Sequence, residues 1–267
     1  MQKTIFLTGA TDGIGLVTAR KLVEQGHKVL IHGRNAEKLE AVASDLSALS
    51  GGGSVESYVA DLSDMNAVEA MAKAVADKHG QLDVLINNAG VFKTSEPVTE
   101  QGMDVRFVVN TLAPYLLTQR LLPLLGNAGR VVNLSSAAQA PVNIGAIAGG
   151  VRLDDMAAYS QSKLAITMWT KAMADTNPEG PMVVAVNPGS LLASKMVTEG
   201  FGVAGNDINI GADILIRAAL SDEFATASGQ YFDNDSGQFA PPHPDALDKD
   251  KNAAVVGAVE TALASLA

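Results

Sequence analysis

Residues 3–15 read KTIFLTGATDGIG, and residues 14–25 continue with apolar positions at helical spacing. A short apolar run therefore stops in a turn with three glycines and restarts as a helix. Such a junction lets backbone approach a pyrophosphate. Gly9 and Gly13 permit a tight bend and close approach, Gly15 lets the helix lie near the sheet, and the helix N-terminus offers free N–H groups and a favourable dipole. Thr11, Asp12 and Ile14 fill the rest of the turn. A P-loop fits poorly, because no Gly-Lys-Ser/Thr follows. A glycine-rich turn without a ligand is the bland alternative, and its place at the first strand–helix junction speaks against it.

Outward from this point, strand-length apolar runs recur at 28–33 (KVLIHG), 55–60 (VESYVA), 82–87 (LDVLIN), 129–135 (GRVVNLS), 182–187 (MVVAVN) and 229–232 (GQYF). Helical patterns at 35–49, 64–79 and 158–175 lie between most of them. Continuously apolar strands imply burial on both faces, as in parallel sheets. The βαβ alternation predicts a doubly wound, mostly parallel seven-stranded sheet with helices on both faces. The chain has 267 residues, which suits one domain spanning 1–267. Stretches 137–157 and 233–251 lack a clear period and read as loops, while 252–266 reads as a last helix. Loops of that length often form lids or binding walls.

Composition narrows the function. The net charge is -10 and there is no cysteine. The charge argues against nucleic acid or an anionic membrane as a partner held through bulk charge. Disulfides, Cys-ligated zinc and thiol catalysis are excluded. The four histidines, at 27, 32, 79 and 243, show no ligand spacing, so no metal is expected. The first residues lack the apolar stretch of a signal peptide, and no run approaches the ~20 apolar residues of a membrane span. A cytoplasmic location is the expectation.

TGATDGIG at 8–15, NNAG at 87–90, Tyr159-Ser-Gln-Ser-Lys163 and NPG at 187–189 occur in that order. With this ordered set the whole chain resembles a short-chain dehydrogenase/reductase of the single-domain kind. The lengthened stretch before Tyr159 and the tail after GQYF are similar to retinol-dehydrogenase-like members. The resemblance implies a Rossmann-type sheet, a nicotinamide dinucleotide, a carbonyl or alcohol substrate, and a Ser–Tyr–Lys site with a supporting Asn. It places Asp61 and Leu62 near the adenine, Asn88, Ala89 and Gly90 along the ribose side, and Pro188, Gly189 and Leu191 near the nicotinamide. Of the two serines in VVNLSS, it selects Ser136 to hold the substrate oxygen, leaving Ser135 a packing role. It gives Asn110 the task of bending its helix and binding a water linked to the lysine. Ser194 stands where a Thr is common. Homodimers or homotetramers through the helices at 98–125 and 157–177 are expected, since Leu116, Leu117, Leu121, Met168 and Trp169 make those helices apolar on more than one face.

Tyr159 and Lys163 are four apart, so a helix places them side by side. A phenol titrates near ~10, and an adjacent lysine cation lowers that. Such a phenol can protonate an oxyanion or deprotonate an alcohol. Both Tyr159 and Lys163 are also expected to touch the cofactor. NADP is expected over NAD. An NAD site places an acid at the end of the second strand, whereas this chain has Gly33 and then Arg34, which can fork onto a 2′-phosphate. Asp12 in the glycine turn weighs against NADP if its charge points inward. The substrate walls, 137–157, 190–206 and the tail 233–267, are mostly apolar and suggest an apolar substrate. A catalytically silent dinucleotide-binding regulator is the rival reading, opposed by the intact Ser, Tyr, Lys and Asn. A sugar-nucleotide epimerase is a third, lacking here its larger C-terminal domain.

Overall fold

The structure is a computed structural model describing residues 1–266. Seven parallel strands, β1 (Thr4–Leu7), β2 (Lys28–Gly33), β3 (Ser54–Val59), β4 (Val84–Asn87), β5 (Arg130–Leu134), β6 (Met182–Asn187) and β7 (Tyr231–Asp233), lie in the order 3-2-1-4-5-6-7. An eighth, β8 (Gln238–Phe239), pairs antiparallel with β7 at the edge. The expected Rossmann-type, mostly parallel sheet is present, with one strand more than the sequence suggested. Two residues are too few to leave a period, so β8 was hidden in the stretch read as loop.

Alternate residues of the inner strands feed two cores. Phe6 and Leu30 join the cluster beneath α3 (Met65–Lys78), α5 (Ala113–Leu125), α7 (Asp155–Thr176) and α10 (Lys249–Leu266). Ile5, Leu7, Val29 and Ile31 join the opposite cluster under α1 (Gly13–Glu24), α2 (Ala36–Ser47) and α9 (Asn209–Leu220). Burial on both faces explains why the strands read as unbroken apolar runs rather than alternating ones.

Several elements depart from the sequence reading. A short α4 (Val105–Phe107) passes through a π-helical turn, Val108–Leu112, before α5 begins. The 137–157 loop contains α6 (Ile144–Ile147) and the start of α7, whose N-cap Asp154 accepts from Ala157 N at 2.8 Å. The 190–206 wall contains α8 (Lys195–Phe201). The last helix starts at Lys249, preceded by a 3-10 turn, Pro244–Leu247.

α10 packs along α7. Tyr115 donates to Glu260 at 2.8 Å and stacks edge-on against Trp169 at 5.5 Å. Leu116, Leu117, Leu121, Met168 and Trp169 are thereby buried within one chain. Their burial needs no second copy, so they give no support to the pairing expected from them. Among the described residues no helix is long and apolar enough to cross a membrane.

Candidate active site

The carboxyl ends of four strands stop level with one another. Leu7 pairs with Ile86, Asn87 with Asn133, and Asn133 with Ala185. The turns that follow open on one crevice where the strand order reverses, the usual ligand position in open α/β sheets. A cavity of about 760 Å³ occupies it, within the ~300–1,000 Å³ of small-molecule sites.

The glycine turn forms its floor. A Cβ on Gly15 would lie 2.1 Å from Gly9 O and 2.5 Å from Asn88 Nδ2, so the helix start nests against the turn itself. Gly9 has φ +68°, and its Cβ would lie 2.8 Å from Ala89 Cα. At Gly13, with φ +54°, a Cβ would meet nothing closer than 3.7 Å, which leaves that backbone open to the cavity. The second wall is stitched to the first. Thr8 Oγ1 accepts from Asn88 N and Ala89 N, both at 3.1 Å, and Asn88 Nδ2 donates to Thr8 O at 2.8 Å and Gly9 O at 3.0 Å. A helix N-terminus framed by Gly9 and Gly15, which have no room for a side chain, and by Gly13 at positive φ is a cradle shaped for phosphate. The residues present fit a dinucleotide.

Every cofactor-side residue expected from the sequence, from Gly9 and Thr11 to Leu191, lines this cavity. Arg34, Asp61 and Leu62 stand at one end, Asn88, Ala89 and Gly90 on one wall, and Pro188, Gly189 and Leu191 on the other. Gly33 makes room for Thr11, whose Cγ2 would lie 2.5 Å from a Cβ there. Asp12 is turned to structural use: it accepts from Gly13 N at 2.8 Å and from Lys38 Nζ at 2.9 Å. Lys38 lines the same end as Arg34, which is exposed and forms no ion pair among the described residues.

His32 and Lys38 were not anticipated. His32 is buried; Gly9 N donates to its Nδ1 at 3.2 Å, which leaves Nε2 to donate to Ala60 O at 3.0 Å. Burial holds its pKa below the usual value, consistent with a neutral ring. The ring ties the glycine turn to the end of β3, a role that shows no local sequence signal. Lys38 stands in the first turn of α2, a second basic residue that follows Arg34 at the same strand end.

At the other end Tyr159 and Lys163 share one face of α7, and the Tyr159 hydroxyl faces Ser136, whose hydroxyl favours the phenolate. Burial raises the Tyr159 pKa above its ordinary value, and the Ser136 hydroxyl offsets this only in part. Lys163 Nζ lies 5.8 Å from the centre of the Tyr159 ring and donates to Leu134 O at 2.7 Å. Burial pulls the lysine down to about 8. The net lowering of the phenol expected from the lysine is therefore absent here: desolvation outweighs the distant cation. Ser135 faces the core, bonded to Thr167 Oγ1 at 2.7 Å and Lys163 O at 3.1 Å.

Asn110 lies in the π-helical turn but does not line the cavity. It accepts from Val91 N at 2.8 Å and donates to Val91 O at 2.9 Å and Ser162 Oγ at 3.0 Å. Its amide fixes the backbone beyond Gly90, and a Cβ on Gly90 would lie 3.3 Å from Asn110 Oδ1 and 3.4 Å from Lys163 Nζ. Phe92, also unanticipated, packs tilted against the Tyr159 ring with centroids 5.0 Å apart. It forms an apolar wall with Met156, Leu192 and Val197.

The sequence model of the short chain dehydrogenase family matches residues 3–201. Human retinol dehydrogenase 13 is 31% identical, over 93% of this chain and 80% of its own length. Mouse retinol dehydrogenase 12 is 33% identical, over 86% of this chain and 77% of its own. A crystal structure of an uncharacterised Mycobacterium paratuberculosis protein superposes with a TM-score of 0.79 at 29% identity, covering 98% and 94% of the two chains. A Burkholderia cenocepacia short chain dehydrogenase in complex with NADP superposes with a TM-score of 0.70 at 28% identity, covering 88% and 97%.

Proposed function

The chain belongs to the short-chain dehydrogenase family, an NAD(P)-dependent oxidoreductase family, and on that footing we propose that Tyr159 is the general acid and base of its reaction. The observation that carries this is the Tyr159 hydroxyl facing Ser136, one helical turn from buried Lys163, at the end of a glycine-framed crevice. A nicotinamide dinucleotide bound there would supply or accept the hydride. Ser136 would hold the substrate oxygen by donating to it as negative charge builds. Tyr159 would give that oxygen its proton in reduction and take it in oxidation. Lys163 would stabilise the phenolate left behind. Asn110 would act through Val91, by holding the wall that faces Lys163. The intact Ser, Tyr and Lys set the silent regulator aside. Phe92, Met156, Leu192 and Val197 favour an apolar carbonyl or alcohol substrate.

NADP is the dinucleotide we assign. Exposed Arg34 and nearby Lys38 face the end where a 2′-phosphate would sit, and Lys38 neutralises Asp12, the one acid that weighed against it. The Burkholderia relative was solved with NADP. Turnover of a panel of apolar ketones and alcohols with each dinucleotide, in the parent and in Arg34→Ala, tests the assignment. NADP is expected to lead in kcat/KM, and Arg34→Ala to cost about one to two decades with NADP alone, the scale of a hydrogen bond to a charged group. Equal efficiencies untouched by the substitution would refute it. We also propose that copies of the chain associate, a reading that rests on the family resemblance.

A further inference from the structure

The turn after β6 forms one wall of the cavity through Pro188, Gly189, Ser190 and Leu191. Leu191 has φ +52°, the only residue other than glycine in the left-handed region among those described. Residues with a side chain adopt that conformation only where their surroundings impose it. The surroundings here are two braces from outside the cavity. On one side stands the loop between β7 and β8. Asp235 accepts from Ser190 N at 2.7 Å, from Ser190 Oγ at 2.6 Å and from Asn187 Nδ2 at 2.8 Å. Its neighbour Asn234 donates to Pro188 O at 2.9 Å. On the other side, Asn206 N donates to Leu191 O at 2.6 Å, and Asn206 Nδ2 to Ser190 O at 3.0 Å.

We propose that Asp235 is a positioning residue for the dinucleotide: its carboxylate holds the Asn187–Leu191 turn in the strained form that lines the cavity. The proposal rests on the reading of this cavity as the dinucleotide site. One carboxylate binds a backbone N–H, a hydroxyl and an amide at once, and charge-assisted bonds of this kind are stronger than neutral ones. Without them the cost at Leu191 is no longer opposed on this side, and the wall relaxes. Asp235 touches neither cavity nor core, so its loss should act on binding through the turn rather than on the proton chemistry at Tyr159.

The test is NADPH binding, followed by the cofactor's own fluorescence, together with kcat and KM in Asp235→Ala, Asp235→Asn and Asp235→Ala with Leu191→Gly. Asp235→Ala is expected to weaken NADPH about tenfold while kcat at saturation stays within about threefold. Asp235→Asn, which keeps the shape and one acceptor oxygen, is expected to fall between parent and Ala. Adding Leu191→Gly should restore most of the lost affinity, because glycine adopts positive φ freely. Affinity in Asp235→Ala within about twofold of a parent that binds NADPH would overturn the proposal alone. So would a loss that Leu191→Gly leaves untouched. A parent that binds no NADPH would overturn the dinucleotide reading, and the proposal with it.

Discussion

A phenol largely withdrawn from water holds its proton more tightly than a free one, and Tyr159, half-buried in the crevice, is such a phenol. At neutral pH it is therefore protonated before any ligand arrives, the state needed to reduce a carbonyl. Lys163 is the group that titrates within reach of ordinary conditions, because burial brings it down to about 8. It is cationic below that pH and neutral above it, and only the cation can stabilise the phenolate that proton donation leaves. In the reducing direction kcat/KM for the dinucleotide, which reports groups of the free enzyme, should be flat through neutrality and fall as pH rises through about 8. A profile flat to pH 10 would show that the lysine charge is not needed. The Tyr159–Lys163 pair was readable because four-residue spacing on a helix is a local fact. The tie that shapes the glycine turn at the other end of the crevice was not. His32 joins that turn to the end of β3, and which carbonyl its ring meets is decided only when separate strands stop level.

At the scale of elements, α7 delivers both groups, and its start is pinned by an ion-paired arginine. Arg106 is 1% exposed and Asp104 6%. Arg106 binds Asp104 Oδ1 at 2.8 Å and Oδ2 at 2.6 Å, and its Nη1 also binds Asp155 in the first turn of α7. Removing one partner of a buried pair leaves the other charged and desolvated. Arg106→Met should lower unfolding free energy by about 3–5 kcal/mol, read as a shift of the urea midpoint. A loss under about 1 kcal/mol would place the pair among surface bridges of little worth. Strands and glycine turns could be read from sequence because their signals span few residues. The π-helical turn at Val108–Leu112 and strand β8 could not: one shifts a single hydrogen-bond register inside a helical pattern, and the other borrows its order from β7.

For the molecule as a whole, α10 changes what its surface can do. It lies on α7, and its Glu260 accepts from Tyr115 of α5. Any pairing through α5 and α7 must use the surface that α10 leaves, which sequence alone could not show because α10 meets α7 only in the fold. Light scattering at micromolar concentration is expected to report two or four chains, and the mass of one chain would contradict that. The claim on which the rest depends is that Tyr159 moves the proton while the dinucleotide is held elsewhere in the same crevice. Tyr159→Phe tests it most directly, with NADPH binding and turnover measured on the same preparation. The account predicts parent-like binding with turnover reduced by about 10²–10⁴. Turnover within about twofold of the parent would contradict it.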